Sequence, residues 1–311
     1  MIKTVYALVI LLLEMPVFPA HSGSDVVQPV ETRLEAIFPD VVENYDAFDA
    51  EGVELIVPYV PTPMAVVDAI LEMARVGPDD ILFDLGCGDG RIVIAAAVRF
   101  GARGVGVDLD PRRIEESKRN AAKAGVEELV SFRLADIFDA DFSRATVVAL
   151  YLLPEVNLKL RPRFFNLLRP GSRVVSHEFD MGDWEPDSKL LVMASEEMDH
   201  RLFLWFIPAR VEGSWLGSIQ AGSDSLPFRL ELERDFQTVS GKIEFDSVPT
   251  PLAEGRLWGT GISLETDAVL EGVRVRLRLL GEVDGNEANG LALIGKGRWS
   301  GVHPWRASRL R

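Results

Sequence analysis

Asp84-Leu85-Gly86-Cys87-Gly88-Asp89-Gly90 begins inside the apolar run Ile81–Leu85 and leads into a helical stretch, Arg91–Phe100. Glycines this close together at a strand-to-helix turn let the backbone approach a ligand that any Cβ would displace. In a dinucleotide-binding fingerprint the third glycine follows the second by three residues and the helix N-terminus takes a pyrophosphate. Here Gly90 follows Gly88 by two, and an acid, Asp84, precedes Gly86. A carboxylate at that strand end is poorly placed beside a pyrophosphate but suits a ligand that carries an ammonium group. The spacing therefore disfavours a nicotinamide dehydrogenase.

Outward from this turn, strands and helices alternate. Strand Gly104–Asp108 is followed by helix Pro111–Ala124, strands Val130–Ala135 and Thr146–Leu153, helix Glu155–Leu168, a Pro170-Gly171 turn and strand Arg173–Phe179. Near-continuous apolar strands in such an order imply an α/β fold, a Rossmann-like doubly wound sheet with helices on both faces. Leu190–Ala194 and Leu202–Ile207, linked around Glu196–Asp199, are expected to form an antiparallel hairpin at the sheet edge. Upstream, Pro58-Tyr59-Val60-Pro61-Thr62-Pro63 reads as a rigid extended segment. Thr62 is expected to cap a helix with Pro63 in its first turn and Val66, Val67, Ile70, Leu71 and Ala74 as its buried stripe.

Asp108 closes the next strand, 20 residues after Gly88, where a carboxylate can accept from both hydroxyls of a ribose. Asp136 and Ile137 close the third strand, where an acid can accept from an adenine amino group while its apolar neighbour covers the ring. One glycine-rich turn could be mere packing. Three acids at the carboxyl ends of successive strands line one crevice, and the ammonium, ribose and adenine together point to S-adenosylmethionine.

With Asp84–Gly90 as first motif and Gly106-Val107-Asp108-Leu109-Asp110 as second, the sequence resembles the class I, seven-strand S-adenosylmethionine-dependent methyltransferases. More narrowly it is similar to bacterial and archaeal relatives of the protein-lysine methyltransferases whose mitochondrial members modify the c protein of ATP synthase and the adenine nucleotide translocase. The narrower resemblance lies in Pro58–Pro63, Asp84–Ile92, Tyr151-Leu152-Leu153-Pro154-Glu155, and Val174-Val175-Ser176-His177-Glu178-Phe179 followed by Trp184. It covers roughly residues 55–210. It implies a sheet with an antiparallel edge strand, Tyr59 and Thr62 over the cofactor, and cofactor contacts from Asp84, Gly86, Gly88, Asp89, Gly90, Asp108, Leu109, Asp136 and Ile137. The lysine of a protein substrate, a membrane protein among the family's acceptors, would enter beside Tyr151 and Glu155.

Methyl transfer to a lysine needs a neutral amine. Desolvation lowers the amine's pKa and a nearby acceptor aims its lone pair. Tyr151, Glu155 and Glu178, at the ends of the fourth and fifth strands, are the catalytic candidates, each with ordinary packing or surface charge as its plainer reading. His177 reads as a structural histidine in a strand. His21, His200 and His303 lack the spacing of metal ligands, so no metal is expected. Cys87, the only cysteine, reads as a small residue in a tight turn.

The chain carries 33 Lys and Arg against 48 Asp and Glu, a net charge of −15, which opposes binding to nucleic acid. Residues 1–22 combine Lys3, the apolar run Val5–Leu13 and Ala20-His21-Ser22, the order of a secretion signal or, uncleaved, a membrane anchor. Residues 23–54 read as a linker. Localisation is thus expected to be secreted, periplasmic or membrane-anchored, which conflicts with a donor made in the cytosol unless catalysis stays cytosolic. An extracytoplasmic binding or scaffold protein with a methyltransferase-like fold is the alternative. In residues 211–311, period-two segments such as Phe228–Leu232 and Val273–Leu279 predict an antiparallel β-barrel or sandwich. Its Trp215, Trp258, Trp299 and Trp305 are expected in core and rim.

Overall fold

The computed structural model describes Leu34, Phe38 and residues 59–193 and 199–310. The expected signal or anchor at 1–22, the linker at 23–54, Pro58 and most of the Glu196–Asp199 link lie outside the described residues.

Helix α1 (Met64–Met73) precedes β1 (Ile81–Leu85), α2 (Arg91–Phe100), β2 (Arg103–Asp108), α3 (Pro111–Ala124), β3 (Val130–Leu134) and β4 (Val147–Leu150). Helix α4 (Pro154–Leu167), β5 (Arg173–His177), β6 (Ser188–Met193) and β7 (Asp199–Phe206) complete the first unit. Its seven strands run in the order β3-β2-β1-β4-β5-β7-β6. All pairings among β1 to β5 are parallel, and β7 lies antiparallel to both β5 and β6. The hairpin is at the edge, as expected, with β7 in the inner position.

Side-chain alternation along the strands divides the core. Leu82, Val147, Ala149 and Val175 pack with α1, α2 and α3 on one face, whereas Phe83, Val148, Leu150 and Val174 pack with α4 on the other. The expected stripe on α1 is buried throughout. Thr62, however, does not cap α1. Pro63 occupies the N-cap with no side-chain hydrogen bond, and its carbonyl accepts from Val66 and Val67. The Thr62 hydroxyl is turned instead toward His177 Nδ1, 3.3 Å away.

Nine further strands form the second unit: β8 (Gly213–Ala221), β9 (Asp224–Asp235), β10 (Thr238–Phe245), β11 (Val248–Pro251), β12 (Glu254–Trp258), β13 (Gly261–Leu270), β14 (Val273–Asp284), β15 (Glu287–Ile294) and β16 (Gly301–Arg309). The β16–β8 and β9–β10 pairings close eight of them into an antiparallel barrel, with β11 attached to β10. Closure removes the exposed edges that a sandwich would leave. Trp215, Trp299 and Trp305 are buried in this unit, while Trp258 is half-exposed on the outside.

Candidate functional site

Every parallel strand of the first unit ends at the same rim, and the cleft is built there. It is lined by Tyr59, Thr62, Asp84, Gly86, Gly88, Asp89, Asp108, Leu109, Asp136, Ile137 and Tyr151, and holds about 960 Å³ of free space, open solvent included. Gly86, Gly88 and Gly90 have φ of 86°, 51° and 80°, the left-handed region that favours glycine. A Cβ on Gly88 would lie 2.3 Å from the Tyr59 ring, so the backbone is open there only because the residue is glycine.

Asp108 anchors the turn. Its Oδ2 accepts from the Gly88 N–H at 2.8 Å and its Oδ1 from the Asp110 N–H at 3.0 Å. A carboxylate has further acceptor capacity beyond these bonds, and a ribose hydroxyl could use it. Burial raises the Asp108 pKa above the ordinary carboxylate value, with the backbone donors opposing the shift. Asp84 is 3% exposed, and burial, reinforced by Asp108 and Asp89, lifts its carboxyl to about 8. Such a group is stabilised as a carboxylate by an incoming cation. Asp89 is engaged otherwise: its carboxylate takes the Arg91 guanidinium at 2.7 Å, and Arg91 also donates to the Thr62 carbonyl. Asp136 Oδ1 accepts from the Phe138 N–H at 2.8 Å, and Leu109 is 47% exposed beside it on the cleft rim.

The Tyr59 ring lies under the Arg113 guanidinium, 3.8 Å from its centroid, and burial raises its pKa strongly. Tyr151 lines the cleft with its ring centroid 3.9 Å from that of His177. Glu155 is exposed in the first turn of α4. Glu178 accepts from the Arg201 backbone N–H at 3.0 Å and side-chain Nε at 3.2 Å, outside the residues that line the cleft. Cys87 is buried with its thiol pKa pushed well up, mainly by burial, which suits a packing role.

Sequence reasoning misses four participants. Arg91 and Arg113 read as ordinary helix residues, and Asn157, fully buried on α4, donates to Ser176 Oγ at 3.1 Å beside the end of β5. His200 stands beside His177 because β7 folds back against β5, a contact between residues 23 apart that no short spacing signals. His177, Glu178 and His200 each bring one possible ligand atom within 4.8 Å of the others.

The arrangement can hold a cationic, hydroxyl-bearing ligand. The buried carboxyl of Asp84 and the half-buried carboxylate of Asp108 flank a backbone cradle that a Cβ would fill, and these features fit S-adenosylmethionine.

Comparison with known proteins agrees. Residues 84–188 match the family model of the ANTKMT methyltransferase domain. A protein-lysine N-methyltransferase of Saccharolobus islandicus (strain REY15A) is 45% identical over 152 residues, which cover 49% of this chain and 94% of the relative. The adenine nucleotide translocase lysine N-methyltransferase of Mus musculus is 33% identical over 131 residues, 42% of this chain and 56% of that protein. Among solved structures, an RNA methyltransferase from Salinibacter ruber in complex with S-adenosyl-L-homocysteine is 54% identical, with 49% of this chain and 96% of that one covered at a TM-score of 0.46.

Proposed function

The chain belongs to the S-adenosylmethionine-dependent methyltransferases of the ANTKMT-domain family, and on that premise we propose that its acceptor is a lysine amine of a protein, presented at the Tyr151 side of the cleft. The observation that carries this reading is the pair of acids beside Gly88, Asp84 buried and Asp108 half-buried, with Tyr151 lining the same cleft.

When bound, S-adenosylmethionine supplies an electrophilic methyl group on a sulfonium. The chain's residues bind and orient. Asp84 would face the ammonium group and Asp108 the ribose hydroxyls, with Asp136 and Ile137 on the adenine and Leu109 at its edge. Tyr59 and Thr62 close the cleft from above, held by Arg113 and by the Arg91 bridge. Tyr151 offers its hydroxyl as the acceptor that aims the amine, and its stacking on buried His177 fixes the ring. Entry into the cleft strips water from the lysine and lowers its pKa, the condition for a neutral nucleophile. Glu155, exposed at the rim, draws the ammonium toward the cleft, and Glu178, held by Arg201, acts by positioning.

A protein acceptor is favoured over RNA by the net charge of −15. The translocase acceptor named for the mouse relative and the apolar stretch within residues 1–22 support a membrane protein as substrate and an extracytoplasmic or membrane-anchored location. The test is incubation of the full chain with methyl-labelled donor, a membrane-protein extract and total RNA. Label on lysine of a protein is expected, and label confined to RNA would overturn the reading in favour of a nucleic-acid acceptor.

A further inference from the structure

At the sheet rim next to Tyr151, His177 closes β5, Glu178 follows it, and His200 reaches across from β7. His177 Nε2 lies 2.9 Å from His200 Nδ1. Glu178 Oε1 lies 3.5 Å from the same His200 nitrogen and 3.8 Å from the same His177 nitrogen. The point in their plane equidistant from three atoms so spaced is about 2.0 Å from each, and an ion raised from that plane to a tetrahedral position lies about 2.1 Å from each, within the bond lengths that Zn²⁺ makes to imidazole nitrogen and carboxylate oxygen.

We propose that His177, Glu178 and His200 bind a divalent transition metal, Zn²⁺ by preference, through His177 Nε2, His200 Nδ1 and Glu178 Oε1, with solvent completing a tetrahedron. Two imidazoles and one carboxylate are the donor set that suits this ion.

The surroundings agree with a metal centre. The other nitrogen of His177 faces the Thr62 hydroxyl at 3.3 Å, the outer hydrogen bond that orients a ligating imidazole. Both oxygens of Glu178 are fixed from outside by Arg201, through its backbone N–H on Oε1 and its Nε on Oε2. Glu178 itself adopts φ +66°, a left-handed conformation unfavourable for a non-glycine residue, and this turn accompanies a carboxylate that faces the two imidazoles. The Arg201 guanidinium pairs with Glu178 at 3.2 Å and would share that carboxylate with the ion. A bound ion would tie the end of β5 to β7 and lock the imidazole against which Tyr151 stacks.

The proposal is independent of which acceptor the enzyme methylates. Its test is metal uptake by the full chain, stripped with chelator and titrated with Zn²⁺ alone, followed by native mass spectrometry, and with Co²⁺ alone, followed by visible absorption. One Zn²⁺ per chain and a tetrahedral Co²⁺ spectrum are expected. Both should disappear in His200→Asn and persist in His303→Asn, whose imidazole lies in the barrel. Thr62→Val should weaken Zn²⁺ binding about 10-fold through loss of the outer hydrogen bond. Circular dichroism distinguishes loss of the ligand from loss of the fold. A folded wild-type chain that takes up no Zn²⁺, or uptake that His200→Asn leaves unchanged, would overturn the proposal and leave the two imidazoles as a hydrogen-bonded pair.

Discussion

Asp84 is the residue on which the chemistry of the cleft turns. Its carboxyl sits at about 8 in the folded chain against an ordinary 3.8, because burial and two neighbouring acids penalise the charge. The folded state therefore holds a proton that the unfolded state gives up, so this contribution to stability is full below about pH 4 and is lost as pH rises to about 8. Asp84→Asn removes the penalty. Its thermal midpoint is expected to exceed that of the parent at pH 8.5 and to match it near pH 4, while its affinity for S-adenosylmethionine falls at least 10-fold. A midpoint shifted equally at both pH values would show that Asp84 is not the group titrating. In the parent, the ligand's ammonium group favours the carboxylate, so affinity should rise between about pH 6 and 8 with a proton released on binding.

At the scale of the element, the glycine turn is held by what precedes and follows it. Arg91 opens α2, takes both oxygens of Asp89 and donates to the Thr62 carbonyl, so one buried guanidinium fastens the segment before α1 to the cofactor turn. Removing one partner of a buried pair leaves the other uncompensated, which costs about 3–5 kcal/mol. Arg91→Met should lower unfolding free energy in urea by that order, and a loss below about 1 kcal/mol would show that the bridge does not hold the segment. Much of this level is legible in the sequence. The Gly86, Gly88 and Gly90 spacing, the acids at strand ends and the apolar strands are local patterns, and β1 through β5 follow from them. Thr62 escapes a local reading because a threonine before Pro63 looks like a cap, whereas a partner 115 residues away takes its hydroxyl. His200, Arg201 and Asn157 become part of the site only through strand return and helix packing, contacts that no short motif encodes.

Across the whole molecule, the barrel is docked on the α4 face of the sheet. Phe236, in the turn between β9 and β10, packs with Phe165 and Trp184, and Gln237 Nε2 donates to the Glu185 carbonyl at 2.6 Å. Arg256 of β12 pairs with the buried carboxylate of Asp187 at 3.6 Å. A half-buried aromatic wedge contributes roughly 2–3 kcal/mol. Phe236→Ala should therefore split calorimetric unfolding into separate transitions for sheet and barrel, and one undivided transition at the parental temperature would contradict this coupling. The period-two pattern of residues 211–311 announces strands. It leaves barrel and sandwich open, because closure depends on the β16–β8 and β9–β10 pairings, which join segments far apart or set the curvature between neighbours.

All three scales serve one cleft, in which the proposed sulfonium donor would rest on the Gly88 backbone between Asp84 and Asp108. Titration calorimetry of the full chain with S-adenosylmethionine and its demethylated product tests this most directly. Micromolar binding of both is expected, weakened at least 100-fold in Asp108→Ala with the fold intact by circular dichroism. Absence of heat with either ligand, or undiminished binding in Asp108→Ala, would contradict the account.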